Sequence, residues 1–206
     1  MVRGRRLAGL QLLRRGGGRA GRGQFLHPRG RFALHGWEVH EVLDRRHHAL
    51  SQRALYKGFG PNSAHHFTYD VYFYLTNPNF SEALEFDLNQ YIGGKQYIFG
   101  HQCSPKWSKT WDTWNQSTGH WESTGIPCPV FSAYKWNHVV IEVERTGDNQ
   151  LHYVAITYNG VKSYVNRYRA PTGTAWNGFS VDFQMDGDYA QNDYATWLDK
   201  MNINYW

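Results

Sequence analysis

Apolar and polar residues alternate along most of the chain after residue 58, and this pattern predicts β-strands that each bury one face. The alternation is clearest in HFTYDVYFYL at 66–75, ALEFDLNQYI at 83–92, WNHVVIEVE at 136–144 and FSVDFQMDG at 179–187. Each stretch places aliphatic and aromatic side chains on one side and polar, often acidic, side chains on the other. No helical periodicity competes with this pattern after residue 58, so the region is predicted to fold as strands.

Short turn sequences separate the predicted strands. Gly, Asn or Pro residues occur in NPN at 77–79, IGGK at 92–95, TGDN at 146–149 and YNGV at 158–161. The pair Asn159-Gly160 is the preferred sequence of a type I′ hairpin turn. Strands that are joined by local turns, without intervening helices, predict an all-β fold in the form of an antiparallel β-sandwich or jelly roll.

The first 57 residues differ in composition from the predicted sandwich. The chain has a formal net charge of +5, but residues 1–57 carry 13 Lys and Arg against 3 Asp and Glu, whereas residues 58–206 carry 9 against 14. The basic charge therefore does not belong to the sandwich. Three interpretations are open for 1–57: a disordered tail, an Arg/Gly-rich arm that binds RNA, or a segment that is not native to the protein. Nucleic acid is not expected to be the ligand of the sandwich.

The two cysteines, Cys103 and Cys128, are too few for a disulfide-rich scaffold and lack the spacing of a zinc site. We predict that they form one bridge, with two free buried thiols as the alternative. A bridge indicates an oxidising compartment and hence a secreted or extracytoplasmic protein. The apolar run LAGLQLL is broken by Arg14 and Arg15, so the sequence predicts neither a signal peptide nor a membrane span.

Four tryptophans lie between the two cysteines, in a chain whose aromatic content reaches 17%. The segment TWDTWNQSTGHWEST predicts a hairpin that turns at NQSTG, with Trp111 on the face opposite to Trp114. Exposed indole rings on such a hairpin suit stacking on the apolar faces of pyranose rings. The alternative is a small satellite core beneath a long loop.

Two stretches of the sandwich region resemble a known superfamily. WNHVVIEVERTGDNQLHYVAITYNGV contains a Trp-x-His-Val strand, a polar turn, a hydrophobic strand and an Asn-Gly hairpin. The ending ATWLDKMNINYW is similar to the final strand of domains in this superfamily. Together they resemble the concanavalin A-like lectins and glucanases, which include laminin-G domains, over residues 64 to 206. The resemblance implies a jelly-roll sandwich that handles carbohydrate.

Glu85 and Asp87 are the central candidates for chemistry, because residues two apart on a strand project from the same face. Retaining β-glucanases of this superfamily have a strand resembling Glu-x-Asp-x-Glu or Glu-x-Asp-x-x-Glu, which implies that Glu85 is the nucleophile and that Asp87 tunes it. The third acid is missing, since Asn89 and Gln90 stand in its place. The acids available as a partner on other strands are Glu144, Asp182 and Asp186.

Two metal sites are also predicted. The strand of Glu85 and Asp87 resembles the Val-Glu-Phe-Asp strand of legume-type lectins, which implies calcium or manganese with a nitrogen ligand from a histidine. The candidate histidines are His101 and His138. A separate calcium site is predicted in DFQMDGDYAQND, with Asp186, Asp188 and Asp193 as ligands. Alternatively, Glu85 and Asp87 are hydrogen-bonded polar residues of a groove, with no metal and no catalytic role.

The sequence thus predicts recognition of a polysaccharide through an acidic concave groove and the tryptophan loop, with calcium as the candidate cofactor. The expected sugar contacts are Tyr72, Tyr74, Trp107, Trp111, Trp114, Trp121 and Gln184. A glycoside hydrolase that acts on a β-linked polysaccharide, with Glu85 as nucleophile, is the alternative. An RNA-binding protein that acts through its basic arm is the third class.

Overall fold

The fold is an antiparallel β-sandwich, as the alternating pattern predicts. A computed structural model describes the backbone of residues 30–34, 52–59, 63–187 and 194–206, and the side chains from residue 58 onward within these ranges. Two antiparallel sheets pack against each other. The described residues contain one short 3-10 turn, Pro78–Phe80, and no α-helix.

The first sheet has six strands. Their order across the sheet is β1 (Gly30–Leu34), β13 (Thr196–Tyr205), β3 (His66–Leu75), β8 (Trp136–Arg145), β9 (Leu151–Tyr158) and β10 (Val161–Arg169). Neighbouring strands are joined by the predicted turns where they follow each other in sequence. Asn159 and Gly160, which connect β9 to β10, both have positive φ angles, of 47° and 85°. A type I′ turn requires this conformation at both central residues.

The second sheet carries the Glu-x-Asp strand near its middle. Its order is β2 (Gln52–Gly58), β12 (Gly178–Gly187), β4 (Ser81–Ile92), β5 (Lys95–Ser104), β6 (Thr110–Asn115) and β7 (His120–Pro127), and β11 (Thr172–Gly173) pairs with the start of β5. Strands β6 and β7 form the hairpin that was predicted between the cysteines. Strand β4 lies between β12 and β5, so residues far apart in sequence meet around it.

Two strands come from the basic segment that precedes residue 58. Strand β1 pairs with β13 at the edge of the first sheet, and β2 pairs with β12 at the edge of the second. The backbone of this segment therefore contributes to both sheets at 30–34 and 52–58. The predicted disorder of the remainder of 1–57 concerns residues outside those described.

The core lies between the sheets and is rich in aromatic residues. Phe73 of the first sheet packs on Phe86 of the second with ring centroids 5.5 Å apart, and Phe99 packs on Tyr153 at 5.8 Å. Each of these side chains is fully buried, and burial of one such ring contributes roughly 2 to 3 kcal/mol. The apolar residues of the alternating pattern are thus the ones that join the sheets.

The predicted disulfide is present. Cys103 at the end of β5 is bonded to Cys128 after β7, with their Cα atoms 5.5 Å apart, so the bridge encloses the β6–β7 hairpin. Disulfides persist mainly in oxidising compartments. Within the described ranges, no helix is long and apolar enough to cross a membrane.

Candidate functional site

Glu85 and Asp87 project from the outer face of the second sheet, as their spacing on the strand predicts. The intervening residues Leu84, Phe86 and Leu88 are at most 1% exposed and face the core. Glu85 is 9% exposed, and Asp87 is half-buried. The strand therefore separates an apolar core face from a polar outer face, and both carboxyl groups lie on the second of these.

Four carboxyl groups meet on this outer face, and we call Glu85, Asp87, Asp182 and Asp186 the acid cluster. Asp87 on β4 is directly opposite Asp182 on β12, and Glu85 is opposite Gln184. The Nε2 of Gln184 donates to Glu85 Oε1 at 2.8 Å and to Asp186 Oδ1 at 3.1 Å. One amide thus ties two carboxyl groups together, because side chains opposite or two apart in a sheet are neighbours.

The two amides at the position of the missing third acid have separate roles. Asn89 lies on the outer face, where its Nδ2 donates to Asp182 Oδ2 at 2.6 Å. Gln90 faces the other way and accepts a hydrogen bond from Arg145 at 2.9 Å. The carboxyl group that approaches Asn89 therefore comes from the neighbouring strand rather than from the same strand.

Burial and mutual repulsion raise the pKa values of this cluster. Burial, followed by the charges of Asp87 and Asp186, raises the pKa of Glu85 to about 10. Burial and the charge of Asp182 raise the pKa of Asp87 well above its usual range, although the backbone N–H of His101 opposes the shift. The pKa of Asp182 is raised by burial to about 6. At neutral pH, Glu85 is therefore protonated and can donate a hydrogen bond or a proton.

Two indole rings border the acid cluster because β5 has a glycine at Gly100, opposite Asp87. A Cβ atom at this position would lie 2.8 Å from the Cβ of Trp114, 3.1 Å from Cη2 of Trp121 and 3.4 Å from Oδ1 of Asp87. The two rings contact each other edge to face at 5.3 Å, and each is half-buried. This tryptophan pair and the acid cluster thus form one continuous surface.

Three of the predicted sugar contacts do not lie beside the acid cluster. Trp111 is 1% exposed and packs in the core against Phe86, so it is unable to stack on a ligand. Tyr72 and Tyr74 lie on the outer face of the first sheet, on the opposite side of the sandwich from Glu85. Trp107 is 68% exposed in the loop between β5 and β6.

The prediction of Glu144 as a partner acid for Glu85 is wrong, because Glu144 lies on the outer face of the first sheet. Its carboxylate contacts Nδ1 of His152 at 3.2 Å and Nε2 of His66 at 3.7 Å. Asp182 and Asp186 are on the same face as Glu85. Of the partner acids proposed from the sequence, these two alone reach the acid cluster among the residues described.

The predicted histidine ligands do not face Glu85 and Asp87. His101 is fully buried on the core side of β5, where its Nδ1 lies 3.1 Å from the carbonyl oxygen of Phe99 and burial lowers the pKa of its ring to about 3. His138 belongs to the first sheet and bonds Asp70 at 2.7 Å. Within the described part of the chain, no three His, Cys, Asp or Glu side chains are arranged to hold a metal ion.

The calcium site predicted at Asp186, Asp188 and Asp193 reaches beyond the described residues. Asp188 and Asp193 lie outside the described ranges, and Asp186 belongs to the acid cluster. The N–H of Gln184 occupies Oδ1 of Asp186, where a cation would otherwise approach. Calcium therefore stays a prediction from the sequence.

Sequence reasoning missed two residues of this face. Gly100 and Gln102 line it on β5, and Gln102 donates to Asp112 on β6 at 2.9 Å. In YIFGHQCS, a pattern of period two places Gly100 and Gln102 on one face of the strand and the buried Phe99 and His101 on the other. The alternation carries this information, but only the register shows that Gly100 is the residue opposite Asp87.

Comparisons with known proteins give likenesses in architecture alone. No protein-family model matches the chain, and no curated protein matches it. A solved mutant of the alginate lyase Aly36B in complex with alginate trisaccharide is 10% identical with a TM-score of 0.49, over 73% of this chain and 75% of that one. A carbohydrate esterase of the Shiga toxin-encoding bacteriophage phi24B is 13% identical at 0.46, over 85% and 90%. The metal-free carbohydrate recognition domain of Emp46p is 8% identical at 0.43, over 86% and 87%. At these TM-scores, the activity of the chain has to be inferred from its own residues.

Proposed function

We propose that this protein binds a polysaccharide across the outer face of the second sheet. One observation carries the proposal: the tryptophan pair and the acid cluster meet above Gly100, where both approach the same point within 3.4 Å. Pyranose rings have apolar C–H faces and a rim of hydroxyl groups, so they bind where flat aromatic rings and polar groups adjoin.

The polar groups of this face suit hydroxyl ligands in particular. A protonated carboxyl group both donates and accepts hydrogen bonds, and the raised pKa of Glu85 keeps it protonated at neutral pH. Gln184 and Gln102 add amide groups on either side of Glu85 in the register. The site therefore offers uncharged donors and acceptors at its centre, as recognition of sugar hydroxyls requires.

The length of the face favours a polymer over a single sugar. Trp176 is 73% exposed beyond the far end of β4, where its ring lies 6.4 Å from that of Tyr91. Tyr91 is four residues from Asp87, a distance of about 13 Å along a strand. Aromatic rings thus lie both beside the acid cluster and at the end of the same strand, which gives room for several sugar units.

We expect the substitution Trp121→Ala to weaken polysaccharide binding by about tenfold to a hundredfold, because loss of a central aromatic contact costs roughly 1.5 to 3 kcal/mol. The measurement is retention on a panel of β-glucans, xylans, alginate and galactans, with affinities from depletion isotherms. Tyr164→Ala is the matched control, since Tyr164 is 71% exposed on the first sheet. Equal affinity of Trp121→Ala and wild type would exclude the proposal.

The acid cluster favours glycoside hydrolysis as a second candidate function. Two carboxyl groups on one face have different pKa values, about 10 for Glu85 and about 6 for Asp182. Such a separation lets one group act as acid while the other acts as base or nucleophile. In this candidate, Glu85 protonates the leaving oxygen and the ionised Asp182 acts on the opposite side, so Glu85 has a different role from the one that the resemblance implies.

For this candidate, we expect release of reducing ends with a bell-shaped pH dependence. Activity rises as Asp182 ionises near pH 6 and falls as Glu85 ionises near pH 10. Glu85→Gln retains binding but lowers the rate by about a hundredfold or more, because general acid catalysis contributes that much. Asp70→Asn, on the other sheet, is the control. Binding without any product from wild type over this pH range would leave recognition as the function.

A further inference from the structure

A row of aromatic side chains crosses the outer face of the first sheet, on the opposite side of the sandwich from the acid cluster. Trp197 on β13, Tyr74 on β3 and Trp136 on β8 are directly opposite one another in the register. Neighbouring strands are about 4.8 Å apart, so the row is about 10 Å long. We call these three residues, together with Tyr134, the aromatic row.

The rings of the aromatic row hold each other in place. The ring of Tyr74 lies 5.4 Å from that of Trp197, 5.5 Å from that of Trp136 and 6.4 Å from that of Tyr134. The backbone N–H of Tyr134 donates to the carbonyl oxygen of Leu75 at 2.9 Å, which fixes this residue beside the end of β3. Binding to an ordered row costs little side-chain entropy.

The aromatic row is also exposed. Trp136 is 50% and Tyr134 is 61% accessible, whereas Tyr74 and Trp197 are half-buried. Contiguous exposed aromatic surface of this kind is uncommon on a soluble domain and marks a binding surface. It is separate from the outer face of the second sheet, because the core lies between the two.

The chemistry around the aromatic row indicates the class of ligand. Among the described residues, no cation–π contact involves these four rings, and the ammonium group of Lys200 lies over the ring of Tyr72 instead, at 5.3 Å. The indole N–H groups of Trp136 and Trp197 and the hydroxyl of Tyr134 make no hydrogen bond within the described ranges. The row therefore offers apolar faces edged by uncharged polar groups, which complements an uncharged ligand of the same character.

We propose that the aromatic row is a second glycan-binding site, which takes a chain of neutral pyranose units by stacking on Trp136, Tyr74 and Trp197. An uncharged polymer fits better than an acidic or basic partner, because no charged side chain contacts the four rings among the described residues. The site goes beyond the proposed function, since it does not require that the acid cluster binds sugar. Two sites on opposite faces would let one protein hold two chains, or two parts of one chain.

The test measures the retention of full-length protein on microcrystalline cellulose, insoluble xylan and insoluble β-1,3-glucan. The variants are Trp136→Ala, the double variant Tyr134→Ala/Trp136→Ala and the control Tyr164→Ala, whose ring is exposed on the same sheet at β10. We expect the affinity for at least one polymer to fall about tenfold or more in the double variant and to stay unchanged in the control. We also expect wild-type retention to change little when salt is raised about tenfold, because the ligand is neutral.

Trp121→Ala in parallel separates the two sites. If Trp121→Ala weakens binding and the double variant does not, this proposal is overturned while the proposed function stands. If the double variant weakens binding and Trp121→Ala does not, the proposed function is overturned while this proposal stands. A dimer that becomes monomeric in the double variant, with retention unaltered, would assign the aromatic row to contact between copies of the chain. Absence of wild-type retention on all three polymers would also overturn the proposal.

Discussion

Replacing Glu85 by glutamine is expected to stabilise the fold at neutral pH by about 3 kcal/mol. The pKa of Glu85 rises from its usual 4.5 to about 10 on folding. The folded state thus binds the proton more tightly, and this contribution to stability is complete below pH 4.5. It is lost progressively as the pH rises towards 10. Glutamine keeps the shape and the hydrogen-bonding groups but has no proton to lose.

The measurement is urea unfolding of wild type and Glu85→Gln at about pH 4, 7 and 9. The two free energies of unfolding should be close at pH 4 and should separate increasingly at pH 7 and 9, with the variant more stable. Asp112→Asn is the matched control, because Asp112 is a buried carboxylate of the same outer face that accepts hydrogen bonds from Gln102, Ser108 and Thr110. Its replacement should destabilise the fold by about 2 kcal/mol.

A variant Glu85→Gln that is less stable than wild type at every pH would contradict this account. Such a result would mean that Glu85 is ionised in the folded state and serves only as a hydrogen-bond acceptor. The prediction therefore tests the electrostatic state of the acid cluster without any knowledge of the ligand. Carboxyl groups with strongly perturbed pKa values are concentrated at functional sites, which is the reason that the proposed function places the ligand beside this cluster.

Replacing both cysteines by alanine is expected to lower the free energy of unfolding by about 3 kcal/mol, since the bridge closes a loop in the unfolded chain. Cys103 and Cys128 are 25 residues apart in sequence. The enclosed segment contains the β6–β7 hairpin and hence the tryptophan pair, so polysaccharide binding should weaken as well. Loss of the bridge leaves both ends of the hairpin less restrained beside Gly100.

Chemical unfolding of wild type and of the double variant, each with and without a reducing agent, checks this effect. Reduction should bring wild type close to the stability of the double variant and should leave the double variant unchanged. Trp121 serves as a local probe, because its indole packs on Trp114. A loss of less than about 1 kcal/mol would show that pairing of β5 with β6 alone holds the hairpin.

The architecture follows from the sequence because the alternation has one interpretation wherever it is regular. In β4, each residue that the pattern assigns to the core is buried, and Glu85 and Asp87 lie on the other face of the strand, as the pattern predicts. The hairpin at β6 and β7 follows from its turn sequence, and the opposed faces of Trp111 and Trp114 follow from their odd separation. These features depend only on local spacing, which a single sequence contains.

The composition of the site depends on strand order, which local spacing does not contain. Glu144 and Asp182 both lie on polar faces of alternating strands, yet only Asp182 is on the sheet of Glu85. Tyr74 and Trp114 differ in the same way. The alternation says that a residue faces outward but not from which sheet, and the choice between two outer faces is made by long-range pairing.

The buried His101 shows a related limit. It occupies a core position in β5, and its residue type alone predicts a ligand, although its neighbours Phe99 and Cys103 are apolar residues of the same face. A spacing of two residues from each of these neighbours predicts a core position for this side chain, and it is a stronger indication than the ability of an imidazole to bind metal. For Gly100, in contrast, the residue type does predict the surroundings, since a glycine within a strand indicates a close approach by another group.

The most direct test of the account is an NMR titration that follows the indole N–H signals of all nine tryptophans during addition of an oligosaccharide of a polymer that retains the protein. The signals of Trp114 and Trp121 should shift as the ligand binds, and the signal of the buried Trp111 should shift far less. Saturation of the Trp114 and Trp121 signals at the affinity measured by retention would support binding beside the acid cluster. Shifts confined to tryptophans of the aromatic row, with Trp114 and Trp121 unperturbed at saturation, would contradict it.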